Sequence, residues 1–320
     1  MEKKDADDTG RSSVKKRIAL VRERLHHAEE ADHDNRRKFT DDMKFAFVPG
    51  EQWDTFSKAN RSVDRPMYEF NRTRTTIKRV VNQMRNNPIS GKVRAVEDGD
   101  TEVAEINEGL IRNIINTSNF DAIRDNAAEY QVGGGYAAWR IVSKISDDTG
   151  WDQDLLIEGL RNPLCLFCDP NAFDQNGRDA KWWILTDKMT KAAFKAAYPN
   201  AKPIDFEFEE YGTEDWEDED TVRVAEHWYQ QSVDKVIILL SDGRSIAESD
   251  LAEAIRADQD QQAQAAQQGQ QPMQPLSEIK RRTVRCYDIY SAIYSGDTEL
   301  SPPAKWAGTK FPWVRLYGEY

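Results

Sequence analysis

The amino-acid sequence predicts an α+β protein in which a long N-terminal helix precedes a body of mixed helices and short strands. Two observations carry this expectation. Apolar residues recur at helical spacing through the first part of the chain, then in short alternating or continuous runs typical of strands. The change falls in the stretch Asn71–Val142, where two helical patterns end on Gly133, Gly134 and Gly135 and an aromatic, branched run follows from Tyr136. Glycine adopts the left-handed conformation of a helix C-cap without steric cost, so the triple glycine reads as a stop. Because the order is helix then strand, a helix C-terminus faces these glycines, and its dipole would repel a phosphate.

Residues 1–13 offer little to bury and are expected to be disordered. Over 14–47, Ile18, Val21, Leu25 and Ala28 share a helical face, with Phe39, Met43 and Ala46 further along. The intervening HHAEEADHDNRRK is polar all round, as in an arm that packs on a larger body; Pro49–Gly50 ends it. After GEQWD (50–54) and a loop, Arg72–Asn86 is expected to be helical with Ile77, Val80, Val81 and Met84 inward, and Lys92–Val96 to be a strand. Ile106, Leu110 and Ile114 mark the expected buried face of the next helix. Phe120, Ile123, Ala127 and Tyr130 mark that of the following one, which a Ser118–Asp121 capping box would open.

Beyond Val142 the expected strands are 155–160, 164–168 and 181–186, then a short helix over Thr190–Tyr198. DFEFEEYGTEDWEDED (205–220) is expected to be a solvated acidic loop. Strands over 221–230 and 233–240 lead to a turn at 241–244, and a Ser245–Glu248 capping box would open a helix to about Asp258. The Gln/Ala tract 259–271 has no core-forming face. Paired strands over 279–294 turn at Gly296–Asp297, and an aromatic segment closes the chain. The domain plan is therefore a tail (1–13), a helical arm (14–47), a mixed body (48–244) and a final region (245–320).

Composition limits the function classes. A net charge of -12 argues against a protein that grips nucleic acid with its whole surface, since that affinity comes from counterions displaced by Lys and Arg. No apolar run approaches the roughly 20 residues of a membrane span, and the polar N-terminus lacks a hydrophobic signal core. Three cysteines are too few for a disulfide framework, so a reducing compartment is the default. Cys165-Leu-Phe-Cys168 has C-x-x-C spacing. It lies mid-strand, and the other thiol and imidazole ligands are scattered, so it reads as buried cysteines and not as a zinc or redox site. The acidic run lacks the register of an EF-hand, and no serine sits in a nucleophile motif. One basic segment stands out: Arg61, Arg65, Arg72, Arg74, Lys78, Arg79, Arg85, Lys92 and Arg94, opposed by Asp64 and Glu69. It fits contact with phosphate or an acidic protein surface, and equally a solvated face with intrachain partners.

Taken together, GEQWD (50–54), R-P-x-x-x-x-N-R (65–72) with a basic helix ending in QMRNNP (through 88), and DGDTEVAEINEGLIR (98–112) resemble the portal proteins of short-tailed bacteriophages. VGGGYAAWR (132–140), N-P-x-x-x-x-x-D-P (162–170) and AAYP (196–199) extend the resemblance, collinear from about Phe39 to Gln230. It implies a portal-protein fold, with a twelve-subunit ring at one capsid vertex through which double-stranded DNA is packaged and ejected. It further implies a virion protein, met in the host cytoplasm during assembly, with no catalytic site and no cofactor. The implied partners are other copies of the chain, the packaging terminase, capsid and scaffolding proteins and a tail adaptor protein, with no membrane. The segment 48–244 would be a wing, and 245–320 the start of the stem and clip. Candidate contacts to subunits, shell or DNA are Arg65, Arg72, Arg74, Lys78, Arg79, Arg85, Lys280, Arg281 and Arg282. The family continues past a segment like FPWVRLYGE into tunnel helices and a helical barrel. The chain is thus expected to be a fragment or truncated product that folds to somewhere before residue 300 and closes no ring alone. The alternatives are a nucleic-acid-binding adaptor using the basic 61–94 segment with Trp53 or Tyr68 stacking on bases, and a metal-dependent nuclease using Asp169 and Asp174.

Overall fold

The computed structural model describes residues 2–60, 68–88, 91–95, 101–147, 149–199, 201, 220–267 and 276–318. The acidic run 205–219, Arg65 and most of the loop before the basic helix lie outside them. The architecture is mixed α+β, in two compact units: residues 1–228, 291–304 and 310–320 form the first, and 229–290 with 305–309 the second. The boundary expected at residue 245 therefore falls inside the second unit.

In the first unit, α1 (Glu2–Phe47) is a single helix. It begins well before Val14, so residues 2–13 continue the arm where a disordered tail was expected. Ile18, Val21, Leu25, Ala28, Phe39 and Ala46 are buried along one face. The polar middle keeps to that face through Arg36, whose guanidinium lies 3.9 Å from the Phe167 ring centre and donates to the carbonyls of Leu164 and Leu166. Nearer the N-terminus, Arg17 forks onto Glu299 (2.9 and 2.7 Å) and Arg22 pairs with Asp297 (2.8 Å). Bidentate pairing of this kind fixes geometry as well as charge.

Helix α2 (Thr55–Ala59) is one turn; α3 (Arg72–Asn86), α4 (Thr101–Thr117) and α5 (Phe120–Gly134) follow. The segment 91–95 is irregular, not the expected strand, and Val96 is outside the described residues. α5 ends as the glycines predict, with Gly135 left-handed (φ 82°) and its N–H on the Gln131 carbonyl. Gly133 and Gly134 do something further. A Cβ on Gly134 would sit 2.4 Å from the Phe39 ring, and one on Gly133 3.0 Å from the Met43 sulfur, so only hydrogen lets α5 approach α1 this closely. The start of α5 corrects the capping expectation. Ser118 is not a cap; its hydroxyl accepts the Ile157 N–H (2.8 Å), and Asn119 (φ 49°) makes the link with no side-chain cap bond. Asparagine tolerates that left-handed conformation better than most residues.

Strand β1 (Tyr136–Ile145) pairs antiparallel with β2 (Gln153–Gly159) on one side. On its other side it takes β9 (Trp313–Tyr317), with Tyr136 opposite Tyr317. The folded part thus runs through residue 318, which corrects the expectation that it ends before 300. The closing aromatic segment has its partner strand within the chain, Trp313 is buried, and Gly318 N–H bonds the Gly135 carbonyl. A one-turn 3-10 helix (Pro163–Cys165) leads to β3 (Leu166–Cys168), and α6 (Lys191–Ala197) follows β4 (Trp182–Thr190). The order of the second sheet is β3-β4-β5-β7-β8, with β5 (Thr221–Leu240), β7 (Glu278–Ser295) and β8 (Thr298–Lys305). β5 is one strand, not two. Gln231 and Ser232 read as a break, but no glycine or proline accompanies them and the strand runs through both.

In the second unit, β6 (Ser245–Ala247) folds back on β5 through a turn at Gly243 (φ 86°). Ser245 is therefore in a strand pair, not a capping box, and α7 (Leu251–Gln267) starts only after a 3-10 turn at Glu248–Asp250. Asp288 is held by Lys235 (2.7 Å) and Lys305 (2.8 Å), and these two bonds keep its carboxyl below the ordinary aspartate range.

Burial, reinforced by the nearby Arg24 charge, lowers the His227 pKa to about 3. Arginine can only donate, so the Arg24 bond to Nε2 (2.9 Å) leaves the ring proton on Nδ1. The unfolded chain protonates its histidine near 6.5 and the folded one does not, so stability is full above pH 6.5 and falls as pH drops towards 3. The expected slope from this residue is about 1.4 kcal/mol per pH unit between roughly pH 6 and 4. Urea unfolding across that range, compared with His227→Gln, checks it; an identical pH slope in the variant would contradict it.

Candidate interaction surface

α3 is anchored at its N-terminus. Asn71 caps it, accepting the Arg74 N–H (2.8 Å), and its amide donates to the Ala46 carbonyl at the end of α1 (2.7 Å). Ile77 and Val81 pack with Ala46 and Ala128, while Val80 and Met84, expected inward, are over a third exposed. Among the described residues the end of α1 and α5 cover this helix, and the stripe is wider than those contacts.

The basic residues of α3 divide by partner. Lys78 pairs with Glu129 (2.7 Å) and Arg85 with Asp125 (2.6 Å), both on α5. Arg74 lies 5.8 Å from the Phe47 ring centre. Arg72 and Arg79 are exposed, with no side-chain partner among the described residues. Arg72 and Arg74 sit in the first turn of α3, at the positive end of the helix dipole, where cations are disfavoured by about 0.3–1 kcal/mol. Folding does not call for that placement. Lys92 and Arg94 lie in the irregular segment 91–95.

Lys280, Arg281 and Arg282 are in the second unit, on the exposed end of β7. Arg281 is bound at home, to Glu278 (2.9 Å) and Glu248 (2.8 Å); Lys280 and Arg282 are exposed. The sequence candidates thus divide between two units.

The structure adds a surface that periodicity misread. Ile106 and Leu110 of α4, expected to be buried, are 57% and 55% exposed, and Val103 and Ile111 are exposed beside them. α4 rests on β2 and turns the small side chain of Ala104 inward, leaving this face open. Near the N-terminus of α3, Phe56, Tyr68 and Phe70 are also exposed, while Glu69 closes the GEQWD turn by accepting from the Gly50 and Gln52 N–H groups. The signal for these surfaces is an apolar period with no second apolar element to cover it.

The nuclease candidates have structural work. Asp169 is buried and accepts from the Asn171 and Lys181 N–H groups, and Asp174 accepts from Asn176. Among the described residues, no three His, Cys, Asp or Glu side chains are placed to hold a metal ion. Burial pushes the Cys168 thiol up to about 12 and raises Cys165, so both stay protonated at neutral pH, the opposite of an activated thiolate.

A mixed α+β body that buries Asp169, keeps Cys165 and Cys168 as thiols, and shows charged and apolar helix faces to solvent fits a structural protein acting through its surfaces. Comparison with known proteins agrees. The family model described as Phage P22-like portal protein matches residues 22–320, and the chain belongs to that family, whose members are structural phage proteins and not enzymes. It is also similar to a protein named portal protein from Acyrthosiphon pisum secondary endosymbiont phage 1, 24% identical over 96% of this chain. The chain spans 43% of that relative's length. The family match bears out the resemblance read from the motifs and extends it past Gln230.

Solvent-facing and structural cations of α3 separate by stability. Arg72→Ala and Arg79→Ala are expected to change unfolding free energy by less than about 0.5 kcal/mol, and Lys78→Ala and Arg85→Ala to lower it by about 0.5–1 kcal/mol. Chemical denaturation of the four variants distinguishes the pairs. A larger loss at Arg72 or Arg79 would mean that the fold uses them.

Proposed function

We propose that this chain is part of a phage portal, the head-to-tail connector. In this proposal twelve copies form a ring at one capsid vertex, and double-stranded DNA passes through it during packaging and ejection. The observation that carries the proposal is the family match over residues 22–320. The arm is then α1, the wing is built on α3, α4, α5 and the three-stranded sheet, and the second unit is the beginning of the stem and clip. The partners are other copies of the chain, the packaging terminase, capsid and scaffolding proteins, a tail adaptor and the DNA. The protein is a virion component assembled in the host cytoplasm. No helix among the described residues is long and apolar enough to cross a membrane.

The charge pattern supports a conduit. DNA must slide, and each uncompensated Lys or Arg at the channel would add a phosphate contact to break. With a net charge of -12, and with Arg281, Lys235 and Lys305 engaged by acids of the same chain, grip on a duplex is weak. Lys280 and Arg282 are exposed cations of the second unit.

Gold-labelled antibody on purified virions is expected to mark one vertex per capsid, and particles assembled without the protein to hold no DNA. Label at every vertex, or filled particles in its absence, would overturn the proposal.

A further inference from the structure

We infer that α4 of one copy docks on the outward face of α3 in the next copy. The inference rests on the ring proposed above and assigns its contact. A ring closes through a head-to-tail interface, which needs two different, mutually complementary faces on every subunit. The first unit carries such a pair. On α4, Val103, Ile106 and Leu110 form an exposed apolar stripe, with Glu102 beside Ile106 and Glu105 on the row beyond it. On α3, Val80 and Met84 form a second exposed stripe, with Arg72 and Arg79 on the row beyond Thr76 and Gln83.

The two faces also point to different neighbours. α3 packs on the side of α5 that carries Asp125, Ala128 and Glu129, while Ile123 of α5 meets Gly159 of β2, the strand on which α4 rests. The two stripes therefore do not cover each other within a copy. Each stripe costs solvation while open, and the nearby charges are basic on α3 and acidic on α4. A shell or scaffolding protein would have to supply one of these faces by coincidence; a second copy of this chain supplies both.

The test uses two variants of the full chain. Ile106→Asp with Leu110→Asp destroys the α4 face, and Arg72→Glu with Arg79→Glu destroys the α3 face. All four positions are exposed, and far-UV circular dichroism checks that the fold is kept. In sedimentation velocity up to about 100 μM, the unmodified chain is expected to associate, and each variant alone to weaken association at least tenfold. An equimolar mixture should give a heterodimer and nothing larger, because the intact α3 of one variant still meets the intact α4 of the other. Adding Glu102→Arg and Glu105→Arg to the α3 variant should restore association within one chain. An unmodified chain that stays monomeric, or variants that associate as well as it does, would overturn the contact. Rings that persist in both variants would do so while leaving the connector proposal standing, whereas label at every vertex sinks the connector proposal itself.

Discussion

The structure depends on the close approach of α5 to its neighbours. Its glycine end lets Phe39 and Met43 of α1 lie against bare backbone, where any side chain on Gly134 would collide with the Phe39 ring. One side of α5 seats Ile77 and Val81 of α3 and holds Lys78 and Arg85 by ion pairs. At its start, Phe120 meets Trp139 of β1 edge-on at 5.2 Å, a geometry worth about 0.5–1.5 kcal/mol beyond the area buried. At its end, the Gln131 amide and the Gly135 carbonyl hold the backbone of Tyr317 and Gly318 (2.6 and 2.9 Å). Arm, basic helix and both outer strands of β1's neighbourhood are thus positioned by one short helix.

Much of this was legible in the sequence because the signals are local. The helical periods at 18–28 and 72–86, the triple-glycine stop and the turn at Gly296–Asp297 each depend on residues a few positions apart. What failed has a common cause. Periodicity tells which residues share a helix face, not whether anything covers that face, so Ile106 and Leu110 were placed in a core although both are exposed. The Ser118 and Ser245 capping boxes lost to tertiary alternatives: a hydrogen bond to Ile157 in one case and a strand pair with Leu239 in the other. The pairing of β9 with β1 joins residues far apart in the chain and leaves no trace in either segment. Arg36 shows the same limit from the polar side, since its packing on Phe167 makes a charged residue part of a buried seam.

For the functional surface, composition was informative about class and silent about placement. The cluster of cations at 72–85 was visible, but which of them fold the protein and which face outward depended on Glu129 and Asp125, some fifty and forty residues downstream. Two exposed arginines, Arg72 in the first turn of α3 and Arg79 at its middle, are what that sorting leaves facing outward. They fit a protein whose chemistry is recognition between surfaces.

The most direct test of the α5-centred account is hydrogen exchange on Gly134→Ala. An alanine in a helix interior normally stabilises by about 0.5–1 kcal/mol over glycine, but overpacking against a buried ring costs about 1–3 kcal/mol, so a net loss is predicted. Protection should fall together in the Phe39 end of α1, in α3 and in β9, because all three rest on α5. Loosening confined to α1, or no loss at all, would contradict the claim that α5 positions the rest.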